Sequence, residues 1–327
     1  MKCFVTLLFT VQLVSLSAWE VSVYPYSYIA KQFELTAEEF QWRWDKYGAD
    51  QNFSLWSPDM TKDEVDTEFR QLHKLRFSTW YLEDPGWYDC IAVNEDFLFA
   101  DSLFFGDHFR TGNSLAYAYN NTHPSYNSSN IVIGPYTFLA MEGTRLEEEV
   151  AFFHLLAAYQ VTHLVRLTPC FDKEEKCHPY WVGRAEETDT EVLLNVPLRG
   201  GSTYSLSYYP VEDWIEHQPI DPHRLIALVK EIRLNYNSGK DLIAVHCSSG
   251  VGRTGTFIAA YILMSEMDRQ HEAGEDMHIS IEELVFKLSL QRKYMVGRPS
   301  LYNTLYEVVR IYREMQLQSD TSKRKIT

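Results

Sequence analysis

Cys247 and Arg253 lie six residues apart in the run His246-Cys247-Ser248-Ser249-Gly250-Val251-Gly252-Arg253-Thr254-Gly255. Those residue types at that spacing suit chemistry on a phosphoryl group. A cysteine becomes a strong nucleophile when its pKa falls into roughly the 3.5–7.5 range of activated thiols. Gly250 and Gly252 let the chain turn tightly, so the backbone N–H groups of Ser248, Ser249, Gly250, Val251 and Gly252 converge on one anion. The planar fork of Arg253 then grips two oxygens of a tetrahedral phosphate. Thr254 is placed to hydrogen-bond the sulfur, which favours the thiolate and its later departure as a leaving group. The competing reading is a buried strand-end cysteine before an ordinary helix cap, and it leaves most of these positions unexplained.

The elements around the loop must deliver it as a strand-to-helix turn. Asp241 to Val245 is a short continuous apolar run, the mark of a strand covered on both faces. A helix is expected from about Arg253 to Asp268, with its N-terminus adding to the anion cradle. Upstream, 146–159 reads as a helix, 163–168 as a buried strand and 191–210 as two strands. Pro222 opens a helix behind Asp221 as cap, and Gly239 follows its end. Residues 34–76 read as helical, 84–134 as hairpins with a long polar insert, and 281–292 and 299–315 as two closing helices. Strands alternating with helices predict an α/β fold, with a central twisted, mostly parallel or mixed sheet flanked by helices.

The whole chain sets broad bounds. Its 327 residues are 45% hydrophobic, enough for one large or two small domains. A formal net charge of −15 argues against a nucleic-acid partner. Residues 1–18 read as a secretory signal: Lys2 precedes an apolar run, and Ser15, Ser17 and Ala18 supply small residues near a cut. That predicts a secreted or lumenal protein without a membrane span; the alternative is an N-terminal helix in a cytoplasmic protein. Beyond that segment remain Cys90, Cys170, Cys177 and Cys247, whose pairing is left open. Sequons begin at Asn52, Asn120 and Asn127, and the latter two are expected in a surface loop.

The segment AVHCSSGVGRTGTF resembles the signature of the protein-tyrosine phosphatases. GPYTFLAMEGTRL, HLVRLTP followed by EEKCHPYW, and LQRKYMV resemble further stretches of that family in order. The likeness covers roughly 70–315. It implies a catalytic domain over 70–316, between the signal read at 1–18 with an N-terminal helical extension at 19–69 and a polar tail at 317–327. It also implies hydrolysis of phosphotyrosine in proteins through a phosphocysteine intermediate, with no metal and no organic cofactor. Within GWYDC, Trp87 or Tyr88 resembles the aromatic that stacks on the substrate ring, and Asp89 the acid that holds the substrate backbone. Lys176 resembles the lysine near the acid loop. Asp172 resembles the acid that orients the arginine, with Glu174 or Glu175 as alternatives.

Two departures bear on the expected activity. Where the family carries Trp-Pro-Asp-His-Gly, this chain has Asp213-Trp214-Ile215-Glu216-His217-Gln218. Glu216 or Asp213 is then the general acid, and a glutamate is chemically competent for that task. After LQRKYMV the family has a glutamine that positions water; Gly297 stands there, followed by Arg298, and Leu301 occupies the second glutamine position. These changes imply reduced turnover. They keep open a phosphotyrosine-binding pseudophosphatase, and a phosphoinositide phosphatase is the third reading. Neither composition nor motif specifies an oligomeric state.

Overall fold

A computed structural model of the chain describes residues 26–83, 121–123, 126–169, 177–197, 202–216, 218–237 and 239–324. The expected helical stretch at 34–76 is two helices, α1 (Tyr26–Tyr47) and α2 (Lys62–Glu83). They part at Gly48, whose N–H donates to the Trp44 carbonyl at 2.7 Å. Any Cβ at that position would sit 2.5 Å from the Trp44 ring. Helix α2 restarts with a reciprocal cap: Thr61 N–H donates to the Glu64 carboxylate at 2.7 Å, and Glu64 N–H donates to Thr61 Oγ1 at 3.4 Å. The expected boundary at 69/70 therefore falls inside a helix.

Three strands follow, β1 (Asn121–His123), β2 (Tyr126–Ile133) and β3 (Tyr136–Met141), paired antiparallel. A single 3-10 turn at Leu146–Glu148 leads into α3 (Glu149–Ala158) and then β4 (His163–Arg166). Next come β5 (Ala185–Glu187), β6 (Val192–Pro197) and β7 (Thr203–Pro210), an antiparallel group. Helix α4 (Pro222–Asn235) starts where Asp221 accepts from His223 N–H at 3.0 Å, as the sequence predicts. The chain ends with β8 (Ile243–His246), α5 (Gly252–Ala273), α6 (Ile281–Gln291) and α7 (Pro299–Arg324). Helix α7 runs well past the expected end near 315, so the residues read as a polar tail continue it to Arg324.

The eight strands form one sheet in the order β1-β2-β3-β8-β4-β7-β6-β5. Its centre is parallel, β3 with β8, β8 with β4 and β4 with β7, and its flanks are antiparallel. This is the mixed α/β sheet expected. Alternation along β8 shows why its run is apolar throughout. Ile243 and Val245 face a core built with α2, α4, α5, α6 and α7, while Ala244 faces a second core built with α3. A helix layer thus covers each face, and the carboxyl end of β8 opens at the sheet's edge into the loop that carries Cys247.

Candidate active site

The loop between β8 and α5 is held from several sides before any ligand is considered. Gly143 N–H donates to the Ser248 carbonyl at 2.8 Å, and Tyr180 OH lies 2.7 Å from His246 Nε2. Burial drives His246 down to about 3, so its ring is neutral. Its Nδ1 lies 3.3 Å from the Cys247 carbonyl. That arrangement assigns the proton to Nδ1 and leaves Nε2 to accept from Tyr180. Gly250 has φ +70°, and a Cβ there would lie 2.0 Å from the Met141 carbonyl oxygen. Only glycine fits that turn.

Arg292 supports the loop from beneath. It is fully buried and donates to the carbonyls of Gly250 at 2.8 Å and Ser249 at 3.1 Å. It also donates to Asn127 Oδ1 at 2.9 Å and Ser129 Oγ at 3.1 Å. Those bonds overturn one sequence expectation. Asn127 is a buried β2 residue whose amide nitrogen is spent on Glu142 at 2.9 Å, so it offers no surface for a glycan. Asn52, by contrast, is exposed.

Cys247 is 2% exposed and carries a free thiol, as does the buried Cys177. Burial opposes a Cys247 thiolate, but the Arg253 guanidinium, the Thr254 hydroxyl and the N–H groups of Thr254 and Gly250 outweigh it and hold the thiol below its ordinary range. The buried Thr254 hydroxyl has no other hydrogen-bond partner among the described residues and acts on the thiol from beside it. Arg253, 4% exposed, donates from Nη1 to the Trp214 carbonyl at 3.0 Å. Its buried Nη2 has no hydrogen-bond acceptor among the described residues; Glu216 Oε1 stands 3.8 Å away. One fork of the guanidinium is anchored and the other is left for an oxyanion.

A cavity above the sulfur gathers Glu216, Ser249, Val251, Gly252 and Arg253 around Cys247. Asp213 is elsewhere: its carboxylate is 62% exposed and pairs with Arg224 of α4 at 3.7 Å. Of the two acid candidates, the cavity holds Glu216. Ser248 is buried with its carbonyl taken by Gly143, and Gly250 turns its N–H to the sulfur, so these two serve the loop more than the cavity wall. Trp87, Tyr88, Asp89, Asp172, Glu174, Glu175 and Lys176 lie outside the described residues, as do residues 1–18, Cys90, Cys170 and Asn120.

The far wall is Tyr294, Gly297, Arg298 and Leu301. Neither Gly297 nor Leu301 carries a side-chain amide to orient water. Tyr294 and Val296 adopt φ of +66° and +52°, a strained region for such side chains. Two close contacts hold that strain: Arg76 donates to the Met295 carbonyl at 2.8 Å, and a Cβ on Gly255 would lie 2.8 Å from Met295 Sδ. Arg76, Arg292 and Tyr294 were not among the residues expected at the site. The Arg292-Lys293-Tyr294 run was visible, but nothing local marks which cation is buried.

A nest of backbone N–H groups at the carboxyl end of a central strand, with a thiol of lowered pKa at its base, can hold a phosphoryl group against sulfur. A family model described as "Protein-tyrosine phosphatase" matches residues 192–310. Over residues 192–310, about a third of the chain, the sequence matches the protein-tyrosine phosphatase domain. It is 27% identical over 202 residues to human (Homo sapiens) receptor-type tyrosine-protein phosphatase R, covering 56% of this chain and 30% of that protein. It is 25% identical over 205 residues to tyrosine-protein phosphatase corkscrew of Drosophila melanogaster, covering 54% of this chain and 24% of that protein. It is also 24% identical over 203 residues to tyrosine phosphatase H3 of Microplitis demolitor bracovirus (isolate Webb), covering 53% and 61% respectively. The chain therefore spans less than two thirds of these relatives' lengths. A solved structure described as "Structural basis of PTPN18 fingerprint on distinct HER2 tyrosine phosphorylation sites" aligns with TM-score 0.48 at 20% identity, over 57% of this chain and 73% of that one.

Proposed function

We propose that the chain hydrolyses phosphotyrosine in proteins through a phosphocysteine intermediate. The observation that carries this reading is the buried Arg253 Nη2, with no hydrogen-bond acceptor among the described residues, in one cavity with the low-pKa thiol of Cys247. Cys247 Sγ attacks phosphorus in line, the bond from phosphorus to the tyrosine oxygen breaks, and Glu216 gives that oxygen its proton. The loop N–H groups and Arg253 hold the equatorial oxygens throughout. Water then attacks phosphorus and passes a proton to Glu216, the P–S bond breaks, and inorganic phosphate leaves with the thiolate restored. The positive charge comes from the guanidinium and amides, so no step needs a metal.

The test follows both products at once. Purified protein is mixed with an aryl phosphate, and phenol and free phosphate are timed together. A phenol burst matched to active sites and followed by slower joint release supports the reading, because Gly297 and Leu301 leave the water step unassisted. Retained phosphopeptide binding with no phenol from wild type, or equal phenol release by Cys247→Ser, refutes it.

The apolar run behind Lys2 in residues 1–18 supports secretion or residence in the secretory lumen as the location of this activity. No helix among the described residues is long and apolar enough to cross a membrane. Mass spectrometry of the chain recovered from eukaryotic culture medium tests export: a mature N-terminus near Trp19 is expected, and an intact Met1 within cells refutes it.

A further inference from the structure

The loop carrying Glu216 leaves β7 at Pro210 and is pinned to the body of the protein at two points. The later pin is Trp214, which is fully buried, takes the Arg253 Nη1 hydrogen at 3.0 Å on its carbonyl and donates from its own indole to the Gln218 carbonyl at 3.1 Å. The earlier pin is Glu212, whose carboxylate accepts from Arg166 Nη2. Arg166 is the last residue of β4. Its side chain is 1% exposed, its Nε donates to Tyr208 OH at 2.5 Å and its Nη1 donates to the Thr168 carbonyl. Its guanidinium also lies 3.8 Å over the Trp181 ring. Every nitrogen of this cation is committed, so it cannot swing to follow a displaced partner.

A half-exposed carboxylate paired with a mobile surface arginine contributes little. Glu212 meets a rigid, dry guanidinium instead, which makes the contact directional as well as attractive. Its position matters because Glu216 is a glutamate. The extra methylene gives the acid more rotamers, so a useful reach to the leaving oxygen needs a firmly placed backbone. Glu212 lies four residues before Glu216, and Trp214 lies between them.

We infer that Glu212 is a positioning residue for the general acid: through Arg166 it fixes the loop so that Glu216 reaches the departing oxygen. This rests on the phosphomonoester-hydrolase reading above. Glu212 itself touches no reacting atom. Its effect must therefore scale with how much the substrate needs a proton.

The experiment compares phenyl phosphate, whose leaving group needs protonation, with p-nitrophenyl phosphate, whose nitrophenolate leaves unassisted. The quantity read is kcat/KM, which reports the first chemical step even when the water step limits kcat. In Glu212→Gln, the value for phenyl phosphate should fall about ten- to a hundredfold, as misplacement of a catalytic group does, while that for p-nitrophenyl phosphate stays near wild type. Glu216→Gln should show the same pattern more strongly. Equal losses on both substrates, or no loss on either, overturn the inference. If Glu212→Gln does not fold, Glu212→Asp keeps the charge but draws the loop inward, and the same split is required of it. Should Glu216→Gln show no leaving-group dependence, the acid assignment and this inference fall together, whereas matched phenol and phosphate release by wild type would still uphold hydrolysis.

Discussion

Arg292 donates its Nε hydrogen to the carbonyl oxygen of Gly250 at 2.8 Å, so a residue 42 positions further along the chain fixes the floor of the phosphate loop. Replacing it with methionine keeps the bulk but leaves the acceptors on Ser249, Gly250 and Asn127 without their donor. The expected cost is about 3 kcal/mol, since buried polar groups lose their partners. It would appear as a lower urea midpoint together with loss of aryl phosphatase activity. A variant of wild-type stability would show that the loop stands without this support.

Glu216 and Asp213 exchange predicted importance once their surroundings are compared. Glu216→Gln should lower kcat/KM for a phosphotyrosine peptide by roughly a hundredfold or more, the usual contribution of a general acid. Asp213→Asn should stay within about twofold, because its exposed contact with Arg224 is of the kind that contributes little. Steady-state kinetics on the two variants decides the matter, and the reverse order would move the acid to Asp213.

Thr254 tunes the nucleophile. The Arg253 guanidinium and the Thr254 hydroxyl hold the folded thiol of Cys247 below its ordinary value. Reactivity therefore rises with pH as the thiolate forms, at lower pH than for an ordinary thiol. Removing the hydroxyl in Thr254→Val withdraws support from the anion and must shift that rise to higher pH. Iodoacetamide alkylation of Cys247 against pH measures it directly. An unshifted profile would leave Arg253 and the backbone amides as the sole support.

A second titrating group lies away from the catalytic loop. Ser54 Oγ stands between two carboxylates, donating to Glu68 and lying 3.0 Å from Glu282 Oε2. A hydroxyl has one hydrogen to give. Glu68 also accepts from Tyr302 and Tyr306. Burial, with Glu68 beside it, raises the Glu282 pKa. A carboxyl raised in the folded state contributes stability at pH below its unfolded value and loses it as pH climbs through the folded value. Glu282→Gln should remove that decline and leave the protein more stable than wild type at neutral pH. Thermal melts from pH 4 to 8 test this, and parallel curves for the two proteins would refute it.

The parts of the site that are local in sequence were legible there. Cys247, Arg253 and Thr254 sit in one run whose spacing encodes the turn, and Asp221-Pro222 announced its helix without ambiguity. The break at Gly48 was missed because the Trp44 ring that excludes a side chain is four residues away along the helix. Asn127 was read as a surface sequon because only the fold brings it to Arg292, 165 positions distant. Arg76 and Met295 likewise meet only in three dimensions. The choice between Glu216 and Asp213, one residue either side of Trp214 and Ile215, needed the direction of each side chain, which periodicity does not carry.

Among the described residues no acceptor takes a hydrogen of Arg253 Nη2. An oxyanion that does so adds its binding energy to the folded chain alone, because the cradle does not exist once the chain unfolds. Phosphate, or the slow-leaving mimic vanadate, should thus raise the melting temperature in step with the logarithm of its concentration. The heat resistance of this molecule becomes a gauge of how fully its own pocket is occupied.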